Sequence, residues 1–580
     1  MSSPRSIGII AAALLLAFIF YHFHQRSRLS LPPGPQGAFF TGVASLLSRI
    51  EPWKQYAAWS RTYGDVISFR VYNRRLVVLN TRKAVHDLLN KRAILYSDRP
   101  KLWMVHDLCG RGRTVFNISG TDERHRRYRK VLHNGLSPRA TQEYAGILEE
   151  ETKVLIQGIE EAPQRLEGHY QSRHAVAIIM KVAFGYSVTQ QDDFFLQAAE
   201  ESSKITGWAS APGRWLVDHG FPFLRFVPSW IPGADFKRQT AMWRHRLEAL
   251  TELPHEWVKK QMASGHFTES FSSRQLRTES GTPVSTEDED IVKWCAAALY
   301  AGAADTTVSA LISFIMLMAL HPRIQRRAQE EIDRILGRDH APTFADVERL
   351  EYLKCILKEL LRYAPVGPLA LPHRVIQDDE YSGYLIPKDA TVIANVWSIM
   401  HDPQTYPDPF VFDPDRFFTV GSEAREEEVA GESRAEEKIQ LDPRELAFGF
   451  GRRVCPGSSF AEVSMLVAMA NILAHFDISP KSDAVAASQR KIEFTTGITR
   501  FHSLHLEVTS SPPPPLPLPL RPAAWPSVRL SLPHNFVITR TTSKSSTSIF
   551  NPARAVWSSA DEIAVVGAKG SAENVFPEGP

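Results

Sequence analysis

The order of apolar and polar residues predicts a mainly helical chain with a small amount of sheet. Short alternating runs between positions 65 and 80 are typical of two hairpin strands, and Thr391–Trp397 is a similar run. Residues Thr141–Met262 repeat apolar positions at the spacing of amphipathic helices. Ile291–Leu320 and Ser458–Phe476 are longer apolar stretches of helical composition. The predicted fold class is therefore mainly α with a small β-sheet region.

The first apolar stretch, Ile7–Phe23, contains no Asp, Glu, Lys or Arg. As a helix it would be roughly 25 Å long, marginally enough to cross a bilayer. A cleaved signal peptide is the alternative, but no small-residue cleavage site follows the stretch. Arg26 and Arg28 outweigh Arg5, so the positive-inside rule predicts a single N-terminal transmembrane helix with the main body in the cytosol.

Charge and cysteine content limit the function classes. The formal net charge of +3 is too small to indicate nucleic-acid binding. The four cysteines, Cys109, Cys295, Cys355 and Cys455, have no paired spacing and do not predict a disulfide framework. Such scattered cysteines are typical of a reducing compartment, which agrees with a cytosolic main body.

The loop at residues 448–457, F-G-F-G-R-R-V-C-P-G, places one cysteine among residues suited to hold a metal-bound thiolate. Such a thiolate must be deprotonated, shielded and fixed relative to one face of a flat cofactor. Gly451 and Gly457 can adopt backbone conformations denied to other residues, and Phe448 can pack beside the sulfur. Arg453 has the fork geometry that binds a carboxylate. The alternative is a buried structural cysteine in a glycine turn.

Written as F-x-x-G-x-R-x-C-x-G, this loop resembles the haem-binding loop of the cytochrome P450 family. The resemblance implies the cytochrome P450 fold, with haem b as cofactor and the Cys455 thiolate as the axial ligand of its iron. It also implies that Arg453 binds a haem propionate. Similarity in detail is greatest to fungal membrane-bound members resembling O-methylsterigmatocystin oxidoreductase.

The long apolar run Ile291–Leu320 contains G-A-A-D-T-T at its centre, where polar groups require a function. Oxygen activation offers one, because bound dioxygen must receive protons without admission of bulk water. A Thr306 hydroxyl can hold a water beside the oxygen, and Asp305 can replace the protons. The resemblance makes Asp305 and Thr306 the catalytic pair, although Ala303 stands where Gly is frequent. The alternative is a polar kink with a purely structural role.

The basic segment Thr121–Leu136 opens with a capping signal and predicts a helix. The resemblance implies that Arg129 binds a haem propionate and that His125 stands where Trp is usual. A ring nitrogen of His125 can still donate to a carboxylate, with a strength that depends on pH. Arg374 is a further propionate ligand implied by the resemblance. The remaining basic residues predict either a solvated face or a cationic surface for an acidic redox partner: Arg126, Arg127, Lys130 and Arg452.

Glu359 and Arg362 lie three residues apart on one helix face, and a third charged residue, Arg416, follows in the motif P-D-R-F. The resemblance implies that these three form a buried ionic triad with a structural role. It also implies that the pocket wall follows this helix, with the candidate substrate contacts Val366, Leu369 and Ala370.

Three other segments are predicted to surround the pocket. Ser97–Phe116 has no periodicity, and the resemblance implies that it is a loop over the distal pocket, with a solvated connector as the alternative. Phe221–Gly233 is apolar and interrupted by prolines, and the resemblance places it at the flexible roof, which either dips into the membrane or packs ordinarily. Thr495–Arg500 resembles the last pocket loop.

Two segments depart from the family pattern. Glu423–Lys438 carries seven glutamates and predicts a solvated insertion. The tail beyond Ser510 begins with a polyproline run and then lacks convincing periodicity, which predicts disorder. The predicted domains are therefore an anchor at 1–30, a haem domain at 31–509 and a tail at 510–580.

The resemblance implies a monooxygenase that oxidises a lipophilic small molecule with O2. No P-loop or dinucleotide-binding motif occurs in the chain, so electrons must come from a partner, NADPH–cytochrome P450 reductase. The expected location is the endoplasmic reticulum membrane, single-pass, with the catalytic domain facing the cytosol. Fungal secondary metabolism is the expected context. Broad oxidation of hydrophobic aromatics and a haem-thiolate isomerase or dehydratase remain alternatives.

Overall fold

The computed structural model describes residues 29–48, 50–161, 174–188, 193–210, 214–277, 284–418 and 440–480, with the strand backbones at 529–531 and 536–540. The predicted anchor Ile7–Phe23, the acidic insertion Glu423–Lys438 and the pocket loop Thr495–Arg500 lie outside the described residues, as does most of the tail.

Helices dominate the described chain, which confirms the predicted fold class. The α-helices are α1 Pro52–Tyr63, α2 Arg82–Val85, α3 Ala93–Tyr96, α4 Glu123–Leu136, α5 Pro138–Gln142, α6 Ala145–Glu161, α7 Ala175–Phe184, α8 Phe194–Ser210, α9 Leu216–His219, α10 Asp235–Ser264, α11 Phe271–Leu276, α12 Thr286–Leu320, α13 Pro322–Leu336, α14 Glu351–Tyr363, α15 Val396–Met400, α16 Arg444–Ala447 and α17 Ser458–His475. Other helical turns are π-helical at His86–Lys91 and Met104–Leu108 and 3₁₀ at Pro222–Phe226, Asp346–Arg349, Pro414–Phe417 and Gly451–Arg453.

The strands of the described residues form small sheets at the edge of the helical body. They are β1 Val66–Val71, β2 Arg74–Leu79, β3 His373–Arg374, β4 Asp379–Tyr381, β5 Tyr384–Ile386, β6 Thr391–Ala394, β7 Phe476–Pro480, β8 Arg529–Ser531 and β9 Phe536–Arg540. The largest sheet has the order β1-β2-β6-β3, in which β2 and β6 are parallel and the other neighbours antiparallel. Val66 lies opposite Leu79 and Leu76 opposite Thr391.

Two of these strands come from the segment for which the sequence predicted no regular structure. β9 pairs antiparallel with β7, and β8 pairs antiparallel with β9. Phe476 lies opposite Arg540, so β7, which directly follows α17, receives its partner from the tail.

The long helix α12 begins at Thr286, earlier than the predicted Ile291. The side chain of Ser285 accepts the N–H of Asp288 at 3.1 Å and caps the helix, and acidic residues fill its first turn. The helix ends at Leu320, ahead of Pro322. Its two halves are buried in different hydrophobic clusters, the first half with α4 and α7, the second with α13, α14 and α17.

Both α12 and α17 are long and apolar enough to cross a bilayer, but each is mostly buried against the rest of the described chain. A helix buried by its own domain satisfies its apolar surface without lipid. Both are therefore core helices.

The segments Ser97–Phe116 and Phe221–Gly233 each contain a helical turn that their sequences did not predict. Ser97–Phe116 contains the π-helical turn Met104–Leu108, in which Met104 and Val105 are buried. Phe221–Gly233 contains the turn Pro222–Phe226, which has no buried residue.

Candidate active site

Cys455 lies between the turn Gly451–Arg453 and the start of α17. Its N–H donates to the carbonyl oxygen of Phe448 at 2.7 Å, which closes the loop. Burial raises the pKa of the Cys455 thiol, whereas the Gly457 amide, which donates to the sulfur, and the charge of Arg129 lower it. A bound metal cation would supply the further positive charge that favours the thiolate.

The glycines of the loop have different roles. Gly451 has a φ of 53°, and a Cβ at this position would lie 2.2 Å from the carbonyl oxygen of Leu89. Its N–H donates to the side chain of Asn90 at 2.8 Å. Gly457 has a φ of −101°, which any residue can adopt, so the expectation of a special backbone conformation is wrong there. Its contribution is the amide that faces the sulfur.

Cationic side chains converge beside the loop, around His125. His125 is only 2% exposed, and its Nδ1 atom has no hydrogen-bond partner among the described residues. Burial, together with the charges of Arg453 and Arg129, lowers the pKa of His125 to about 3. Arg129 donates to the carbonyl of Val454 at 2.5 Å. The neutral ring of His125 thus lies beside arginine charges, at a position where an anion would be stabilised.

Arg453 connects the cysteine loop to the segment before α4. Its guanidinium donates to the carbonyl oxygens of Ser97 at 2.7 Å and Val115 at 3.3 Å, and also to that of Ile118. Burial lowers the pKa of Arg453 to about 10, despite the nearby carboxylate of Asp98. Within the described part of the chain its hydrogen-bond partners are neutral carbonyl oxygens, so the guanidinium keeps a charge that can stabilise an anion.

Arg99 is a buried arginine beside the partly buried Arg453, and the sequence did not identify it. It donates to Phe116 at 3.0 Å, to Leu371 at 2.8 Å and to Pro372 at 2.6 Å, in each case to a carbonyl oxygen. Burial lowers its pKa to about 9, and Arg453 contributes to that shift. Arg99 therefore connects the segment that contains Phe116 with the segment that contains Leu371 and Pro372. No local sequence motif predicts this connection.

His373 was also missed, although it precedes the predicted Arg374. Its Nδ1 lies 2.7 Å from the carbonyl oxygen of Tyr96, which favours the tautomer with the proton on Nδ1. Burial lowers its pKa to about 3, with a further contribution from the charge of Arg99. The neutral ring leaves Nε2 as an acceptor.

Arg374 has different partners from the other arginines. It forms ion pairs with Asp98 and, at 2.5 Å, with Asp389. Its Nε atom is buried without a hydrogen-bond partner among the described residues. The structure thus neutralises Arg374 with carboxylates, and its predicted contact with a propionate remains a prediction.

The middle of α12 is accessible, although the helix on both sides is buried. The accessible stretch is Ala301–Thr306. Within it, the hydroxyl of Thr306 donates to the carbonyl oxygen of Gly302 at 2.8 Å. The carboxylate of Asp305 accepts from the hydroxyl of Ser203 on α8 at 2.5 Å. The predicted catalytic pair thus lies on the central part of this helix, where the residues are not fully buried.

Phe116 lies against this stretch from the opposite loop. A Cβ placed on Gly302 would be 3.2 Å from the Phe116 ring. The aromatic ring therefore packs on the α12 backbone one helical turn before Thr306. Neither this contact nor Ser203 has a signal in the sequence, because each joins segments far apart in the chain.

The predicted substrate contacts lie along the next wall. Val366, Leu369 and Ala370 are all half-buried. Ala370 has a φ of 50°, an uncommon conformation for a residue with a Cβ. Each of the three packs against a different hydrophobic cluster, so this segment lies where three parts of the core meet.

The predicted charged triad is assembled on the other side of α14. Arg362 donates to both carboxylate oxygens of Glu359 at 2.7 Å, and both side chains have no exposed surface. The Nε atom of Arg416 lies 3.4 Å from the same carboxylate, which also accepts the N–H of Asp413 at 2.9 Å. Burial raises the pKa of Glu359, and Arg362 opposes that effect.

Comparison with known proteins identifies the family. The cytochrome P450 family profile matches residues 32–502. This chain belongs to the cytochrome P450 family. It is 36% identical over 496 residues to cytochrome P450 monooxygenase claR of Ampulloclitocybe clavipes, covering 85% of this chain and 87% of that protein. It is 35% identical to cytochrome P450 monooxygenase 208 of Postia placenta, covering 84% of this chain and 92% of the relative.

As a member of this family the P450 is an oxidoreductase that incorporates oxygen and uses haem with a cysteine thiolate as axial ligand. O2, an organic substrate and a reductase as redox partner follow from the same membership.

The residues present fit the haem. A haem carries two propionate carboxylates, and the cluster of His125, Arg453, Arg129 and Arg99 supplies buried positive charge together with an unpartnered Nδ1 atom. Asp98 is the nearby carboxylate of this cluster, and it also pairs with Arg374, so a further anionic group at this position would offset the excess positive charge. The Cys455 sulfur lies near Arg129 of this cluster.

The basic residues of α4 are only partly available to a partner protein. Arg127 is paired with Glu287 and, at 2.6 Å, with Asp288 on α12. Arg126 lies 3.4 Å from Glu123 and remains mostly exposed. Lys130 and Arg452 are exposed as well.

Proposed function

We propose that this P450 is a membrane-anchored monooxygenase that inserts one oxygen atom of O2 into a lipophilic small molecule and reduces the other to water. Electrons come from NADPH through a P450 reductase. The catalytic domain faces the cytosol at the endoplasmic reticulum membrane, behind one N-terminal helix. The substrate is a terpenoid, polyketide or aromatic compound of fungal secondary metabolism.

One observation carries this proposal: the accessible stretch of α12 presents an acid and a hydroxyl in an otherwise buried helix. An isomerase or dehydratase that needs no external electrons has no use for a proton supply to dioxygen. Asp305 and Thr306 therefore favour oxygen activation over those alternatives.

Thr306 and Asp305 have separate roles in the proposal. A hydroxyl has one proton and two lone pairs, so Thr306 can donate to the Gly302 carbonyl and still accept from a water beside the oxygen site. Asp305, the preceding residue, replaces the protons that this water gives up. The apolar packing of α12 on either side restricts entry of bulk water.

Bound haem supplies O2 binding and the redox chemistry. Cys455 would hold the iron through its thiolate, and Phe448 would shield the sulfur. Arg453, Arg129 and His125 would bind the propionates. Glu359, Arg362 and Arg416 stabilise the segment Pro407–Asp413 beside the cysteine loop through hydrogen bonds to its backbone.

Exposed aromatic side chains support the membrane association. Phe39 is 83% exposed and Phe40 81%, and in the roof segment Phe226 is 73% and Trp230 77% exposed. Large exposed apolar groups of this kind are typical of membrane or protein contacts. We propose that the roof segment contacts the bilayer and receives lipophilic substrate from it, while Arg126, Lys130 and Arg452 face the reductase.

An isotope experiment tests this proposal. Membranes containing the full chain and a P450 reductase are incubated with a panel of terpenoids, polyketides and aromatic compounds under ¹⁸O2. We expect NADPH-dependent products that contain a single ¹⁸O atom. Product formation without NADPH and without ¹⁸O would contradict the monooxygenase proposal and support the isomerase alternative.

A further inference from the structure

The carboxylate of Asp305 is held by a residue outside its own helix. The Ser203 hydroxyl on α8 donates to Asp305 Oδ2 at 2.5 Å, across 102 positions of sequence. A hydrogen bond from a hydroxyl to a carboxylate is short and charge-assisted, so it restricts the side-chain torsions of the acid.

The position of Ser203 is set by the packing of α8. Ile205 and Ala209 of this helix are buried in a distal cluster with Met104, Val105 and Leu247. That cluster is separate from the clusters on which α14 and α17 pack. Leu224 of the roof segment packs against the same cluster, so α8 and that segment together form the roof. Ser203 therefore belongs to the roof, whereas Asp305 belongs to the core helix α12.

The neighbouring hydroxyl is already occupied within α12. Thr306 donates to the Gly302 carbonyl at 2.8 Å, so it does not direct its proton to the adjacent carboxylate. Asp305 is half-exposed. Among the described residues, Ser203 supplies a hydrogen bond that favours one orientation of this acid.

We propose that Ser203 is a positioning residue for Asp305, which links a closed roof to proton delivery at the active site. The inference rests on the proposed function, because it assigns Asp305 to proton supply. When α8 lies against α12, the hydroxyl holds the carboxylate in one orientation. When α8 moves away to admit substrate, that restraint is lost and proton delivery becomes inefficient until the roof closes.

The test uses full-length holoenzyme in reductase-containing membranes, with 7-ethoxycoumarin as the lipophilic probe. The readout is hydrogen peroxide released per NADPH oxidised. We expect Ser203→Ala to raise this ratio by about two- to tenfold. This is the change in an equilibrium constant that corresponds to the net free energy of one hydrogen bond. Ser203→Thr, which keeps the hydroxyl, should restore most of the wild-type ratio, and Ser202→Ala on the same helix should leave it unchanged.

Two further measurements separate positioning from a general loosening of the roof. Affinity of the ferric enzyme for imidazole, followed by its spectral shift, should be the same in wild type and Ser203→Ala. In an Asp305→Asn background, Ser203→Ala should have no additional effect on the peroxide ratio. A change in imidazole affinity, or an effect that persists without the acid, would overturn the assignment.

The outcomes also distinguish this inference from the proposed function. A wild-type enzyme that oxidises no NADPH with the reductase would contradict the proposed function. A wild type that oxidises NADPH, with Ser203→Ala and Ser202→Ala indistinguishable from it, would refute the role of Ser203 alone.

Discussion

The guanidinium of Arg453 lies 2.7 Å from the carbonyl oxygen of Ser97 and joins the cysteine loop to the segment that leads into the distal pocket. Arg99, two residues further on, donates to the carbonyls of Phe116, Leu371 and Pro372. The buried Arg99 and the partly buried Arg453 thus connect the cysteine loop with the predicted distal loop and the predicted pocket wall. Their bonds are to neutral backbone oxygens, which leaves their charge available to the haem propionates.

The buried pair of Glu359 and Arg362 makes a strong stability prediction. Arg362→Ala would leave the Glu359 carboxylate buried without its main partner, and we expect a loss of about 3–5 kcal/mol in the free energy of unfolding. Thermal unfolding and the yield of haem-containing protein measure it. Arg326→Ala, at an exposed position of α13, is the control and should change stability by less than about 0.5 kcal/mol. Equal stability of the two variants would contradict the structural role.

Thr306→Ala should retain haem and its spectrum, but NADPH oxidation should become uncoupled from product formation. Loss of one group in a proton-delivery step is expected to lower product formed per NADPH by about tenfold or more. Thr306→Ser keeps the hydroxyl and should retain most of the coupling. Product and peroxide are both quantified against NADPH. If Thr306→Ala remains as well coupled as wild type, the threonine has no part in the mechanism.

The backbone at Gly451 predicts a local effect on the cysteine loop. Gly451→Ala would place a Cβ 2.2 Å from the Leu89 carbonyl oxygen at a φ of 53°. We expect a destabilisation of more than about 2 kcal/mol and partial loss of thiolate-ligated haem. Gly207→Ala is the matched control, because a Cβ there meets no atom within 4 Å and should stabilise α8 by about 0.5–1 kcal/mol. A Gly451→Ala protein with wild-type haem content and stability would refute this account of the loop.

His174 makes stability depend on pH. Burial lowers its pKa from 6.5 to about 4, so below pH 6.5 the unfolded chain binds a proton that the folded chain does not. Stability is therefore highest above pH 6.5 and falls as the pH decreases toward 4, with about 2 kcal/mol from His174 lost at pH 5. His174→Gln should reduce the difference in melting temperature between pH 7 and pH 5, whereas His266→Gln, at an exposed position, should not. An unchanged difference in the His174 variant would disprove the assignment.

Much of this architecture could be predicted because it rests on local signals. The cysteine loop, the polar centre of α12 and the pair Glu359 and Arg362 each lie within a short segment whose residue types have a chemical reason. Helix spacing and the hairpin strands likewise depend on near neighbours. These signals were sufficient for the family, the cofactor and the main helices.

The remaining features depend on contacts between distant segments. Arg99 precedes a proline in a segment without periodicity, and only the fold shows that it is buried between two pocket walls. Ser203 is one of several polar residues on α8, and its partner is on another helix. Gly457 was assigned a special conformation because glycine permits one, although its φ is ordinary. A single sequence records residue types but not these pairings.

The reduced, carbon-monoxide-bound absorbance spectrum of the full chain tests the central claim most directly, with Cys455→Ser as the comparison. A thiolate opposite carbon monoxide moves the Soret band far to the red, and we expect that band in the wild type and its absence in the variant. A wild-type band at the position typical of histidine-ligated haem, or no haem at all, would contradict a haem-thiolate site at Cys455.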